Sequence, residues 1–145
     1  LLDEQLAHGE ALLPVTGNSM WPLLAGGRDM VRLTRLDRRV QPGDIILYQR
    51  TDGSYILHRV IRLCAPDGCV CCGDAQWEQE QVCEVKILAC VTAFRRKGRW
   101  QETARSRPYR FYERFWVNTF PARRPLLKLL CLLQRTRMGL IRWRT

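Results

Sequence analysis

No run of apolar residues in this 145-residue chain is longer than five, and LLCLL, Leu129 to Leu133, is as long as any. A helix needs roughly 18 or more consecutive apolar residues to cross a bilayer, so no stretch here is expected to span one. The chain begins at Leu1 rather than Met. A spanning helix upstream would make the protein membrane-anchored; without one, a cytoplasmic or peripheral location is expected. The seven cysteines lack both an even count and regular spacing, which argues against a secreted disulfide scaffold and for reduced thiols. Only Cys69 and Cys72 stand at CxxC spacing and no second such pair accompanies them, so neither a metal nor any other cofactor is expected. Internal repeats and low-complexity segments are missing too.

Acidic residues are almost absent from the last part of the chain. Residues 1–104 hold thirteen Lys and Arg against thirteen Asp and Glu, whereas residues 105–145 hold eleven basic residues and only Glu113. The whole net charge of +10 therefore sits in the C-terminal segment. A neutral domain over 1–104 followed by a basic, aromatic and amphipathic extension over 105–145 is the expected organisation.

What is present over the first hundred residues is the grammar of strands. ALLPVTG, DMVRLTRL, GDIILYQR, SYILHRVIRL, CVCCGD and VKILACVTAF are short apolar or alternating runs separated by Gly, Pro and Asp. Asp52-Gly53 marks a hairpin between the third and fourth of them. LLDEQLAHGEAL in front of them reads as a short helix. The fold class expected is mainly β, with that N-terminal helix and a basic amphipathic helical C-terminal tail. In the tail Arg124, Lys128, Arg135 and Arg142 share one helical face, while Leu126, Leu130, Leu133 and Ile141 lie away from it. Such a helix fits an anionic membrane surface, as do Tyr109, Phe111, Tyr112, Phe115 and Trp116; the competing expectation is that the leucines pack onto the β domain.

One stretch stands out from this grammar. In GNSMWP, Gly17 to Pro22, a serine sits between a turn-forming Gly-Asn pair and Met-Trp-Pro. A serine hydroxyl is a weak nucleophile without a base, and bases are scarce: two histidines and three lysines in all. His8 lies in the polar N-terminal helix. His58 lies mid-strand in SYILHRVIRL, where alternation puts it on a face with Ile56 and Val60, a position equally suited to an ordinary core histidine.

Taken in order, GNSMWP, GDIILY, LHRVI and CGD resemble the boxes of the signal peptidase I and LexA-like superfamily of serine peptidases, over roughly residues 13–94. The resemblance implies the β-rich catalytic fold of that superfamily, with Ser19 as nucleophile and His58 as base, in the manner of the endoplasmic-reticulum and archaeal signal peptidases. Asp74 of the GD box would orient His58, with Glu80 at the position of a second acid. Gly17, Met20, Trp21 and Pro22 would serve the oxyanion site and the substrate groove. Signal peptidases usually carry a serine where this chain has Gly17, which leaves oxyanion stabilisation to backbone amides, and an asparagine where it has Ala75. The implied activity is cleavage of a leader or signal peptide with small residues at the cleavage-site pockets. The alternatives are a catalytically weak peptide-binding module of the same fold and a LexA-like self-cleaving regulator. The expected partner is thus a peptide or protein substrate, with an anionic membrane surface as a second partner. Nucleic acid is not expected, because no helix-turn-helix precedes the boxes.

Overall fold

Strand burial follows from the run Ile45-Ile46-Leu47-Tyr48, which has no polar residue to turn toward solvent on either side. In the computed structural model, which describes residues 2–142 and the side-chain surroundings of residues 2–135, all four of these side chains are buried. A helix α1 (Leu2–Ala7) precedes eight strands: β1 (Glu10–Pro14), β2 (Met30–Thr34), β3 (Ile45–Gln49), β4 (Tyr55–Cys64), β5 (Gly68–Cys72), β6 (Glu80–Cys83), β7 (Ile87–Arg96) and β8 (Arg99–Glu102). Two helices follow, α2 (Arg107–Asn118) and α3 (Arg123–Arg142). The strands form one antiparallel sheet in the order β1-β2-β7-β3-β4-β5-β6, with β8 paired to β7.

Two clusters of side chains lie on the two faces of β3. Ile45 and Leu47 join Leu6, Val31, Leu33, Val91 and Phe94, while Ile46 and Tyr48 join Val40, Val60, Cys69, Cys71 and Val82. Burial of a side chain such as Leu24 or Phe94 contributes roughly 1.5–3 kcal/mol. The expected Asp52-Gly53 hairpin joins β3 to β4: Gly53 takes φ +85°, and Asp52 Oδ1 accepts hydrogen bonds from the backbone N–H and hydroxyl of Ser54. The β7–β8 hairpin turns at Lys97 and Gly98, both at positive φ.

Four of the seven cysteines fill ordinary core positions. All seven are free thiols, with Cys69, Cys71, Cys72 and Cys90 buried. Cys69 and Cys71 share a strand face with their sulfurs 3.5 Å apart, whereas Cys72 falls on the other face. The CxxC pair is therefore split across the sheet, a poor geometry for chelation.

The change in composition at residue 105 is not a change in packing. Ser106 caps α2 by accepting from the Tyr109 N–H, and the helix lays Tyr109 and Trp116 onto the sheet, both buried. These two aromatics, expected at a membrane surface, are core residues; Phe111 of the same group is exposed. Arg123 and Leu127 are buried under α3, Leu126 and Leu130 are half-buried, and Leu129 and Leu132 are exposed. The side chains of Ile141 and Arg142 lie outside the described residues. No helix among the described residues is long and apolar enough to cross a membrane.

Candidate active site

The GNSMWP turn connects β1 to β2 and is held from within. Gly17 takes φ +73°, and its carbonyl accepts from the Gly26 N–H at 2.8 Å. A Cβ on Gly26 would meet the backbone N and O of Gly17 at 2.7 and 2.8 Å, so the two ends of the turn can approach only because residue 26 has no side chain. Behind the turn, Asp29 Oδ2 accepts from the Ala25 N–H, Arg28 Nε and Arg28 Nη2. The turn is tied to the far side of the sheet as well, since the Ala75 N–H donates to the Ser19 carbonyl at 2.8 Å. Backbone N–H groups of residues 17 to 20 donate to nothing among the described residues, leaving a row of donors around Ser19. An anionic oxygen would find them unspent.

Ser19 lies in a groove of about 380 Å³ whose walls are largely aliphatic, with Leu13 and Val15 from the β1 side, Leu33 and Leu47 from the sheet, and Ile56 and Leu57 from β4. Met20 lines it too while its side chain reaches the core. Ile56 and Leu57 immediately precede His58 on β4, but His58 is not among the residues that line the groove: it pairs with Ile46 and shares the face of Tyr48, whereas Leu47 and Leu57 lie on the other face. Among the described residues no hydrogen bond joins Ser19 to His58.

His58 is buried, and its partners fix its protonation. Its Nδ1 stands 3.3 Å from the Tyr48 hydroxyl, which donates to Glu80 Oε2 at 2.9 Å. Glu80 Oε1 itself is 3.9 Å from Nδ1, too far for a direct bond. A phenol has one proton, and an ionised carboxylate can only accept. With the Tyr48 proton committed to Glu80, the phenol oxygen is left to accept, so Nδ1 carries the hydrogen and Nε2 the lone pair. Nε2 has no hydrogen-bond partner among the described residues.

Electrostatics agree with this assignment. Hydrogen bonds from Arg50, whose guanidinium grips both Glu80 oxygens, and from Tyr48 hold the Glu80 carboxyl below its ordinary range against a smaller effect of burial. Burial, with help from Glu80, pushes the Tyr48 phenol up and keeps it protonated. For His58, burial lowers the pKa, and the Glu80 charge only partly offsets it. The imidazole is thus neutral near pH 7, as a base must be.

Asp74 does not take the role the resemblance implied. Its two oxygens accept Arg59 Nε and Nη2, each at 2.8 Å, in a fully buried pair, and Tyr112 donates to Oδ2 at 3.1 Å. Strand alternation explains the correction: Arg59 lies on the opposite face of β4 from His58 and opposite Cys72, two residues before Asp74. Around it, Arg59 also donates to the Gly43 carbonyl and the Tyr109 hydroxyl, Trp116 Nε1 donates to the Asp74 carbonyl, and Arg123 donates to the Gly73 carbonyl. The group is a clamp that fastens α2 and α3 to the end of β5, beside the turn that bonds Ser19.

The remaining expected residues divide. Gly17 and Met20 lie with Ser19, whereas Trp21 borders a second groove beside α3, together with Arg124, Lys128 and Arg135. Pro22 lines neither; its carbonyl accepts from Arg28 and Arg96 at the back of the turn. Residues that sequence reasoning left without a role are Tyr48, Arg50 and Arg59. Tyr48 closes the GDIILY box and Arg59 follows His58 in LHRVI, so both stood within recognised motifs. Comparison with protein families, with curated proteins and with solved structures gave no match for this chain.

Proposed function

We propose that the chain is a serine endopeptidase that cleaves an extended peptide seated in the aliphatic groove beside β1. The observation that carries this reading is the ordered chain His58 Nδ1, Tyr48 hydroxyl, Glu80, which leaves an unprotonated Nε2 on the strand that borders the Ser19 groove. On binding of substrate, Ser19 Oγ attacks the scissile carbonyl and passes its proton to Nε2. The imidazolium is stabilised through Tyr48 by the Glu80 charge, and the free N–H groups of the turn receive the oxyanion. His58 then protonates the leaving amine and activates the water that releases the acyl group. β1 is a sheet edge, paired only to β2, which suits a substrate added as a further strand.

A second reading, a peptide-binding module without catalysis, is favoured by the missing Ser19–His58 hydrogen bond. Catalytic hydrogen bonds often tighten only with substrate bound, so the two readings separate by reactivity. A fluorophosphonate probe is expected to label the intact chain at Ser19 and to fail with Ser19→Ala and His58→Ala. A folded wild-type chain that resists the probe is a binding module.

A further inference from the structure

The second groove, about 690 Å³, runs between α3 and the turn that follows β5. Trp21 and Trp77 form its aromatic wall, Leu127 its apolar floor, and Arg124, Lys128 and Arg135 its rim; no carboxylate lines it. Arg124 lies over the Trp77 ring at 4.9 Å, and among the described residues none of the three cations forms an ion pair. All three cations come from the C-terminal segment that carries the whole net charge of +10, and they ring the recess without a carboxylate among its lining residues.

Its position ties it to Ser19. Trp21 is two residues from the serine, and Ala75, which lines the groove, donates its N–H to the Ser19 carbonyl. Ser19 and Met20, which line the aliphatic groove, thus adjoin Trp21, which lines this one.

We propose that the recess docks the part of the substrate on the far side of the scissile bond, a peptide segment that combines apolar side chains with carboxylates. This rests on the peptidase reading and adds a substrate class to it. The occupant follows from complementarity: aromatic and aliphatic walls take apolar side chains, and three cations without an ion pair among the described residues take carboxylates. A planar anionic leaflet meets the outermost atoms of a convex face, whereas these cations surround a recess. A peptide can enter it and reach all three.

The test uses the full chain carrying Ser19→Ala, so that binding is read without cleavage. A short labelled peptide of alternating leucine and glutamate is titrated against it by fluorescence anisotropy, beside the same peptide with lysine for glutamate. The acidic peptide is expected to bind and the lysine peptide not. Lys128→Glu with Arg135→Glu, both at exposed positions, is expected to weaken binding about tenfold or more with an unchanged circular dichroism spectrum. Equal binding of the two peptides, or no effect of the double substitution, overturns the proposal. So does binding to phosphatidylglycerol vesicles without binding to the acidic peptide, which would make the rim a membrane contact. Acidic-peptide binding in a chain whose wild type resists the serine probe leaves the docking site standing and removes the peptidase reading alone.

Discussion

A single phenol proton decides which nitrogen of His58 can act. Tyr48→Phe removes the acceptor for Nδ1–H and disconnects Glu80, leaving tautomer and ring orientation unfixed. On the proposed chemistry kcat for a labelled peptide falls about a hundredfold, in the range of general-base effects. Because burial lowers the His58 pKa, wild-type cleavage rises with pH through an apparent pKa below the ordinary value of about 6.5 and is flat above neutrality. A profile still climbing above pH 9 would sink the histidine base. Stability follows the same sign: the unfolded chain binds the proton more readily, so stability is lost as pH falls from about 6.5 toward the lower folded value. Asp74 predicts differently. Asp74→Ala leaves Arg59 charged and fully buried, at a cost of about 3–5 kcal/mol, so its effect is expected in the thermal melt before any kinetic parameter. An unshifted melt with reduced kcat would return Asp74 to the catalytic group. Motif order singled out Ser19 and His58 as the candidate pair, and face alternation along β4 separates His58 from Arg59. Which carboxylate met which of the two depended on β5 pairing, and no local pattern encodes that.

At the scale of elements, strands with an apolar face were legible, and those without were not. β6 (EQVC) and β8 (RWQE) hold one or two apolar residues each and exist because β5 and β7 offer them an edge. The Lys97-Gly98 turn was hidden because lysine is an uncommon residue at positive φ. Helix α2 was legible as an aromatic segment but not as core, since the group its tyrosines and tryptophan meet, around Asp74, lies over thirty residues away. This changes what truncation should do. Deleting residues 129–145 leaves Arg123 and Leu127 in place and is expected to keep the melting temperature close to wild type. Deleting 123–145 removes the Arg123 hydrogen bonds to the Gly73 and Trp116 carbonyls and uncovers Trp116, and is expected to lower it by several degrees or more. Equal melts for the two truncations would mean that α3 contributes nothing to the clamp.

Over the whole molecule, seven thiols report how much of the chain is closed. Cys83 and Cys131 are exposed, Cys64 is half-buried, and four are buried, with burial pushing Cys72 up to about 11 and Cys90 to about 12. A disulfide reagent at neutral pH is therefore expected to modify Cys83 and Cys131 fast, Cys64 more slowly, and the rest only on unfolding. Rapid reaction of all seven would mean that the sheet is open in solution.

The neighbours His58 and Arg59 divide the molecule between them, one facing Tyr48 and Glu80, the other Asp74 and α2. A slip of β4 by one residue would exchange them, putting a guanidinium beside the Glu80 relay and an imidazole into the clamp. A misaligned chain would then lose its base and its helical anchor together. Cleavage activity would therefore serve as a built-in proofreader of strand alignment, reporting in one assay whether the sheet has been zipped in its proper frame.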